Sequence, residues 1–223
     1  MACGVKIFVD DEVKKRFPDL KVFVAKVRGV KVDRRSKELE DFKKKIYQKI
    51  RNELNLPDLR SDPIIRAYRD FFWRIGIDPT KIRPAAEALI RRILSGRDLP
   101  TINTLVDAYN LASAESRIAL AAFDAEKIEG NMLMRFAKEG EEFLGIGMNK
   151  PKILRGGEIV VSDSERLIAI YPYRDADYSK VTFDTENIYL MTCGVPGITS
   201  EKLKEAENLA IHYITKFCGG EGA

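Results

Sequence analysis

The chain has 223 residues, of which 45% are hydrophobic and 32% charged, and its 38 Lys and Arg against 34 Asp and Glu leave a net charge of +4. That composition supports a sizeable core and excludes a largely disordered chain, while any basic patch must be a local feature. Its apolar runs fall short of the roughly 18 residues a membrane span needs, the N-terminus lacks a signal-peptide core, and its three cysteines, Cys3, Cys193 and Cys218, form neither a metal spacing nor a disulfide framework.

A cytoplasmic protein with structural thiols, no cofactor and no metal is therefore expected. No Pro/Gly/Ser-rich linker divides the chain, which reads as a single domain over residues 1–223.

In chain order, Val5 to Val9 is a short strand candidate and Asp10 to Arg16 a charged turn or helix ended by Phe17 and Pro18. Leu20 to Val32 alternates as a long strand with apolar residues on both faces, which suggests a central position. From Lys37, Leu39, Phe42, Ile46, Ile50 and Leu54 step at helical spacing, with Lys43, Lys44, Lys45 and Lys49 off that stripe. Asp62 and Pro63 open another helix, stopped by Gly76, whose Tyr68, Phe71, Phe72 and Trp73 read as core.

Pro84 fits a first helical turn, and Ala85, Leu89 and Ile93 recur until Gly96, so Arg91, Arg92 and Arg97 gather at that helix's C-terminal end. A further helical pattern through Leu105 and Ala112 places Asn103, Asp107 and Asn110 roughly on one face. Ile118 to Phe123 then reads as a buried strand ending at Asp124.

Beyond Asp124 the pattern turns to β. Asn131 to Ala137, Phe143 to Gly147, Glu158 to Val161, Leu167 to Tyr173 and Ile188 to Cys193 are short runs separated by turn residues such as Glu139/Gly140 and Gly156/Gly157, consistent with hairpin-connected antiparallel strands. Thr199 or Ser200 caps a last helix through Phe217. Helices first and strands second predict an α+β fold, with a mainly antiparallel or mixed sheet flanked by helices.

No phosphate-binding loop, dinucleotide fingerprint or metal spacing is present, and the lone His212 lies inside the last helix. Hydrolysis through a Ser/His or Cys/His pair is thereby disfavoured. What remains is a set of polar residues at predicted element ends: Asn103, Asn110, Asp124, Glu158, Arg174, Asp175 and Asp177. Each also has an ordinary reading as a cap, a turn or a surface ion pair.

Several ordered blocks carry a family resemblance: RPAAEALIRRIL from Arg83, LPTINTLVDAYNLAS from Leu99, AAFDAEKIEG from Ala121, RFAKEGEEF from Arg135, and the long run from Gly156 to Met191. The sequence resembles the B3/B4 domain of the phenylalanyl-tRNA synthetase β subunit in its free-standing form. The likeness covers roughly Ile64 to Thr192, between an N-terminal strand-helix portion over 1–63 and a C-terminal helix over 193–223. It departs from the bacterial synthetase pattern at Ala121, where that pattern has a histidine before AFD, and in the loop YRDADYS, where Asp177 falls nearest a glutamate position.

The resemblance implies a layered α+β module and a trans-acting hydrolase that deacylates mischarged tRNA at its aminoacylated 3′ end. An aminoacyl ester is already activated, so a placed water and a stabilised oxyanion suffice. On that reading Asp124, Glu158, Asp175 and Asp177 hold the α-ammonium or orient the water, and Asn103 and Asn110 donate to the ester carbonyl or ribose. Arg174 counters the oxyanion or a phosphate. Arg83, Arg91, Arg92, Arg97 and the Lys43 to Lys49 face are the candidates for phosphate contact. A non-catalytic tRNA- or protein-binding module and a small-molecule amino-acid-ester hydrolase stay open as alternatives.

Overall fold

Among the described residues, five of the six α-helices begin at a side chain that accepts an N–H of the first turn. The computed structural model describes residues 6–222. Asp10 opens α1 (Asp11–Arg16), Ser36 opens α2 (Lys37–Glu53) and Asp62 opens α3 (Pro63–Arg74). The fourth helix, α4 (Ala85–Leu94), follows Pro84 and has no side-chain cap. Asn103 opens α5 (Thr104–Ser116) and Thr199 opens α6 (Ser200–Cys218). The caps satisfy donors that a helix start otherwise leaves unpaired.

The strands are β1 (Ile7–Val9), β2 (Val22–Arg28), β3 (Ala119–Asp124), β4 (Met132–Phe136), β5 (Glu139–Phe143), β6 (Lys152–Arg155), β7 (Ile159–Ser162), β8 (Leu167–Ile170), β9 (Arg174–Asp175), β10 (Asn187–Cys193) and β11 (Glu221–Gly222). They form a four-stranded sheet ordered β11-β2-β10-β3, a five-stranded sheet ordered β1-β4-β7-β8-β9, and a separate β5-β6 ribbon. Every pairing is antiparallel except β1 with β4. The fold is therefore α+β with mixed sheets flanked by helices, as the sequence predicts.

The four-stranded sheet is assembled from distant parts of the chain. Six consecutive residues of β10, Ile188 to Cys193, are all buried, and so is every residue of β3, because α5 and α6 pack against one side of this sheet and the other side turns inward. The inner position of this sheet falls to β10, between β2 and β3. The expected central strand, β2, has only the two-residue β11 on its other side. The main apolar cluster draws on residues from Val13 to Cys218, and a smaller one, with Phe143 and Leu154, lies beneath the ribbon.

Four local expectations change. The strand predicted over Phe143 to Gly147 lies earlier, over β5, and the Glu139/Gly140 turn is part of that strand. Gly140 sits at φ +86°, where the β5-β6 register shifts, so a bulge takes the place of a turn. Strand β6 carried no alternation signal, because Lys152, Ile153 and Arg155 are exposed and only Leu154 is buried. Trp73, grouped with the core aromatics, is 56% exposed, whereas Tyr68, Phe71 and Phe72 are buried. Lys43, placed off the apolar stripe of α2, is buried and ion-paired to Asp107 of α5. Val5 and Cys3 lie outside the described residues.

Gly194 marks the tightest approach beside the end of β10. A Cβ there would lie 2.4 Å from the Lys21 carbonyl oxygen and 2.5 Å from Leu203 Cδ1. Gly194→Ala is expected to cost about 1–3 kcal/mol, read as a lower urea midpoint at unchanged slope.

Candidate active site between the two sheets

The chain turns between β8 and β9 through Tyr171, Pro172 and Tyr173, and this segment is held from several sides. The Tyr171 hydroxyl donates to the Gly194 carbonyl, and its ring meets Phe71 of α3 edge-on at 6.4 Å. Tyr173 packs on Phe72 at 6.4 Å, and the Tyr171–Pro172 peptide is cis. The aromatic face of α3 thus acts as a brace for the turn.

Beside this segment lies a cavity of about 70 Å³. Leu120 and Ala121 of β3, Met191 and Cys193 of β10, and Ala169 and Ile170 of β8 line it, together with the Tyr171–Tyr173 turn, Asp175 and Ala85 at the start of α4. Ala121 is paired with Met191 across the ladder, so the two side chains share a face of the sheet. The small side chains of Ala121 and Ala169 leave space there.

Asp175 is the acidic group of this cavity. Burial pushes its carboxyl up to about 7, against the opposing pull of the Arg174 guanidinium. Arg174 reaches the other way and donates to the Ile146 carbonyl at 3.0 Å. The Asp175 charge also feeds back on its neighbours. Burial first, and then Asp175 and Asp107, hold the Tyr109 hydroxyl well above its ordinary value. Burial and Asp175 raise the Cys193 thiol, so a thiolate nucleophile is disfavoured at neutral pH.

A larger cleft of about 380 Å³ adjoins the cavity and shares Ile170, Tyr171 and Tyr173 with it. Its walls include Lys152, Arg155, Gly156, Gly157 and Glu158, with Ile75 to Ile77 opposite. Glu158 Oε1 accepts from the Arg155 backbone N–H at 3.2 Å, while Oε2 is buried with no hydrogen-bond partner among the described residues.

Of the acidic residues singled out in the sequence, Glu158 and Asp175 line these adjoining depressions. Asn103 lines neither: it is the cap of α5 and accepts from the Val106 N–H at 2.8 Å. Asp124 is buried, accepting from the Glu126 N–H at 3.0 Å and the Thr185 hydroxyl at 2.7 Å, and Asp177 pairs with Lys180 at 2.8 Å. Asn110 is partly buried on α5 and borders neither depression.

The basic candidates also divide. Arg91 is tied at 2.7 Å to Glu87, a buried carboxylate that Arg69 also holds through both oxygens, and Arg92 donates to the Asp98 carbonyl. Arg83 and Arg97 are exposed. Lys152 and Arg155, which sequence reasoning missed, are the cations that line the cleft; they are the two ends of β6, a strand with no period-two signal, so nothing local marked them.

The model of the B3/4 domain matches residues 67–219. The chain belongs to the B3/4 domain family. This B3/4 domain is 32% identical over 114 residues to the phenylalanine–tRNA ligase beta subunit of Fusobacterium nucleatum, an alignment that takes in 51% of this chain and 14% of that protein. To the same subunit of Symbiobacterium thermophilum it is 26% identical over 169 residues, or 75% of this chain and 18% of that protein. It therefore spans less than a fifth of the length of these relatives.

Its backbone superposes on an N-terminal fragment of the phenylalanyl-tRNA synthetase beta subunit from Pyrococcus horikoshii with a TM-score of 0.53 and 16% identity, covering 99% of this chain and 50% of that one. That likeness concerns the fold. Among the described residues of this B3/4 domain, no helix is long and apolar enough to cross a membrane.

Proposed function

We propose that the chain is a trans-acting aminoacyl-tRNA editing hydrolase that deacylates mischarged tRNA in the cavity beside Asp175. The observation that carries this reading is the Asp175 carboxyl, raised to about 7 by burial at the wall of a small cavity. A base with that affinity for protons is half ionised at neutral pH, which is where general base catalysis is most effective.

The mechanism needs no histidine. With the acyl group in the cavity, ionised Asp175 takes a proton from a water as its oxygen attacks the ester carbonyl carbon. The tetrahedral oxyanion then faces the start of α4, whose Ala85 lines the cavity and whose first N–H groups have no side-chain cap. Collapse breaks the carbon–oxygen bond to the ribose, and protonated Asp175 returns its proton to the leaving ribose oxygen. The carboxylic acid so formed releases the water's second proton to solvent, so the amino acid departs as a carboxylate and the tRNA with a free hydroxyl.

The cavity volume points to substrate choice. A space of about 70 Å³ walled by Ala121 and Ala169 favours a small aliphatic or hydroxylated side chain over an aromatic one. Ala121→Leu is expected to fill it, costing about 1–3 kcal/mol in stability and abolishing deacylation of every substrate while leaving tRNA binding in place.

Most apolar residues of the cavity wall, Leu120, Ala121, Ala169, Tyr171, Met191 and Cys193, belong to the cluster that reaches from Val13 to Cys218, which supports taking residues 1–223 as one domain. A charged tRNA as substrate implies the cytoplasm. The test is a deacylation screen against correctly and incorrectly charged tRNAs, with Asp175→Asn beside the wild type. Loss of selected mischarged species by the wild type and not by the variant is expected; inactivity towards the whole panel, or an unimpaired variant, would overturn the reading.

A further inference from the structure

We infer that Arg174 is a positioning residue: together with the segment from Leu144 to Ile146, which leaves the β5-β6 ribbon, it latches strand β9 and so fixes the Asp175 side chain at the cavity wall. The consequence for catalysis rests on the deacylase reading, whereas the latch itself is a matter of geometry.

Strand β9 has little of its own to keep it in place. It consists of Arg174 and Asp175 alone, paired with Ile170 and Ala169 of β8, and so short a pairing at the edge of a sheet opens readily. On its other side the segment beyond β5 lies against it as an antiparallel partner. The Ile146 N–H donates to the Asp175 carbonyl at 2.9 Å, the Asp177 N–H donates to the Leu144 carbonyl at 3.0 Å, and Gly145 bridges Ala176 between them. The backbone of Asp175 is therefore held from both sides.

Apolar packing contributes little to holding that segment, since Leu144 and Ile146 are 41% and 42% exposed. Arg174 supplies the missing hold. Successive side chains of a strand point to opposite faces, so Asp175 turns to the cavity and Arg174 turns away from it, donating from Nη1 to the Ile146 carbonyl at 3.0 Å. Its stem lies against Gly145. A Cβ at that glycine would sit 2.7 Å from Arg174 Cγ, 2.8 Å from Cδ and 2.9 Å from Cε1 of the buried Phe143, so the latch closes only over a residue without a side chain.

The ionisation of Asp175 depends on this placement. The charged and titratable groups about it are Arg174 on β9, Tyr109 of α5, Cys193 of β10, and Tyr171 and Tyr173 of the turn; residues 144–146 bring none. Arg174 favours the ionised carboxyl and desolvation outweighs it. Once β9 comes away from the segment, the carboxylate meets water and its affinity for protons falls towards that of an ordinary aspartate.

The experiment follows two quantities in the full chain without substrate. One is amide hydrogen exchange at Ile146 and Asp177; the other is the titration of the Asp175 carboxyl by carbon-13 NMR, its signal assigned by its absence in Asp175→Asn. Gly145→Ala pushes the arginine stem aside and keeps its charge. Both amides should then exchange about tenfold faster, the change expected for the loss of one hydrogen bond, and the carboxyl should titrate below the wild-type midpoint of about 7. Arg174→Met should speed exchange likewise, and Arg174→Lys, which still donates to the Ile146 carbonyl, should restore slow exchange.

Wild-type exchange in Gly145→Ala and Arg174→Met would overturn the latch. So would a carboxyl that titrates higher in Arg174→Met with exchange unaltered, because Arg174 would then act on Asp175 through its charge alone. Should Gly145→Ala fail to fold, the two Arg174 variants decide by exchange. A wild type that deacylates nothing would retire the hydrolase and leave both readouts of the latch standing. Asp175-dependent deacylation beside wild-type exchange in the variants would do the reverse. Where deacylation is present, Gly145→Ala should lower kcat about tenfold at unchanged KM, with the midpoint of the pH–rate profile moving down together with that of the carboxyl.

Discussion

Asp175→Asn is expected to lower deacylation about 10²–10⁴-fold and, in the same protein, to raise stability above pH 7. The two effects have one cause. Burial raises the Asp175 carboxyl from 3.8 to about 7, so the folded state resists an ionisation that the unfolded chain accepts readily. At a pH below about 3.8 the group is protonated in both states and carries no penalty. Between there and about 7 the folded state keeps a proton the unfolded state has released, so stability falls as pH rises; above about 7 the penalty is constant. It is on the order of 4 kcal/mol for a carboxyl moved this far, and asparagine removes it.

The measurements are urea unfolding of wild type and variant at pH 4 and pH 8, together with the pH dependence of deacylation. The gain in stability should be present at pH 8 and absent at pH 4. The wild-type rate should rise through about pH 7 and level off, as a base does when it loses its proton. A variant that loses activity and also loses stability at pH 8 would instead make Asp175 part of the scaffold, and a wild-type rate that falls through pH 7 would make it an acid.

Breaking the buried pair between α2 and α5 should have the largest effect on folding. Lys43 and Asp107 are both buried, their Nζ and Oδ2 lie 2.5 Å apart, Glu40 holds the same ammonium at 2.8 Å, and Asp107 Oδ1 accepts from the Ile102 N–H at 2.9 Å. Removing either partner leaves an uncompensated charge in the interior, so Lys43→Ala and Asp107→Ala are each expected to cost about 3–5 kcal/mol. Lys44, one residue on, pairs with Asp41 in solvent, and Lys44→Ala should cost no more than about 1 kcal/mol.

The pair also has a pH signature. Burial works against the Lys43 charge, but the hydrogen bonds and charges of Asp107 and Glu40 outweigh it and hold the pKa above the ordinary 10.5. The contribution is therefore fully present below that ordinary value and is lost as pH rises through the raised one. Alkaline unfolding of the wild type should show this loss. A Lys43→Met/Asp107→Leu double variant should not show it, and should recover most of the stability that either single change loses.

The local structure was largely legible in the chain. Asp10, Ser36, Asp62, Asn103 and Thr199 are short polar residues before periodic apolar runs, and each caps a helix; Ile188 to Cys193 is an apolar run that became a strand buried on both faces. Such signals depend on neighbours within a turn or a pleat, so a sequence reveals them. The ribbon was missed for the converse reason: β5 carries Glu139, Glu141 and Glu142, and β6 has a single buried side chain, so what defines them is backbone pairing to each other.

By itself, then, the amino-acid sequence determined the α+β class, the helix starts, the membership blocks from Arg83 to Met191, and a short set of polar residues that included Glu158 and Asp175. Only the tertiary structure decided which of them face a common space. It committed Asn103 and Asp124 to caps and turns, turned Lys43 and Arg91 into partners of buried carboxylates, and set Asp175 beside Ala121 and Ala85. A cap is an interaction of neighbours in the chain, whereas the proton affinity of Asp175 comes from desolvation by residues as distant as Leu120 and Met191, and no local pattern in a sequence encodes how far water is kept from a carboxylate.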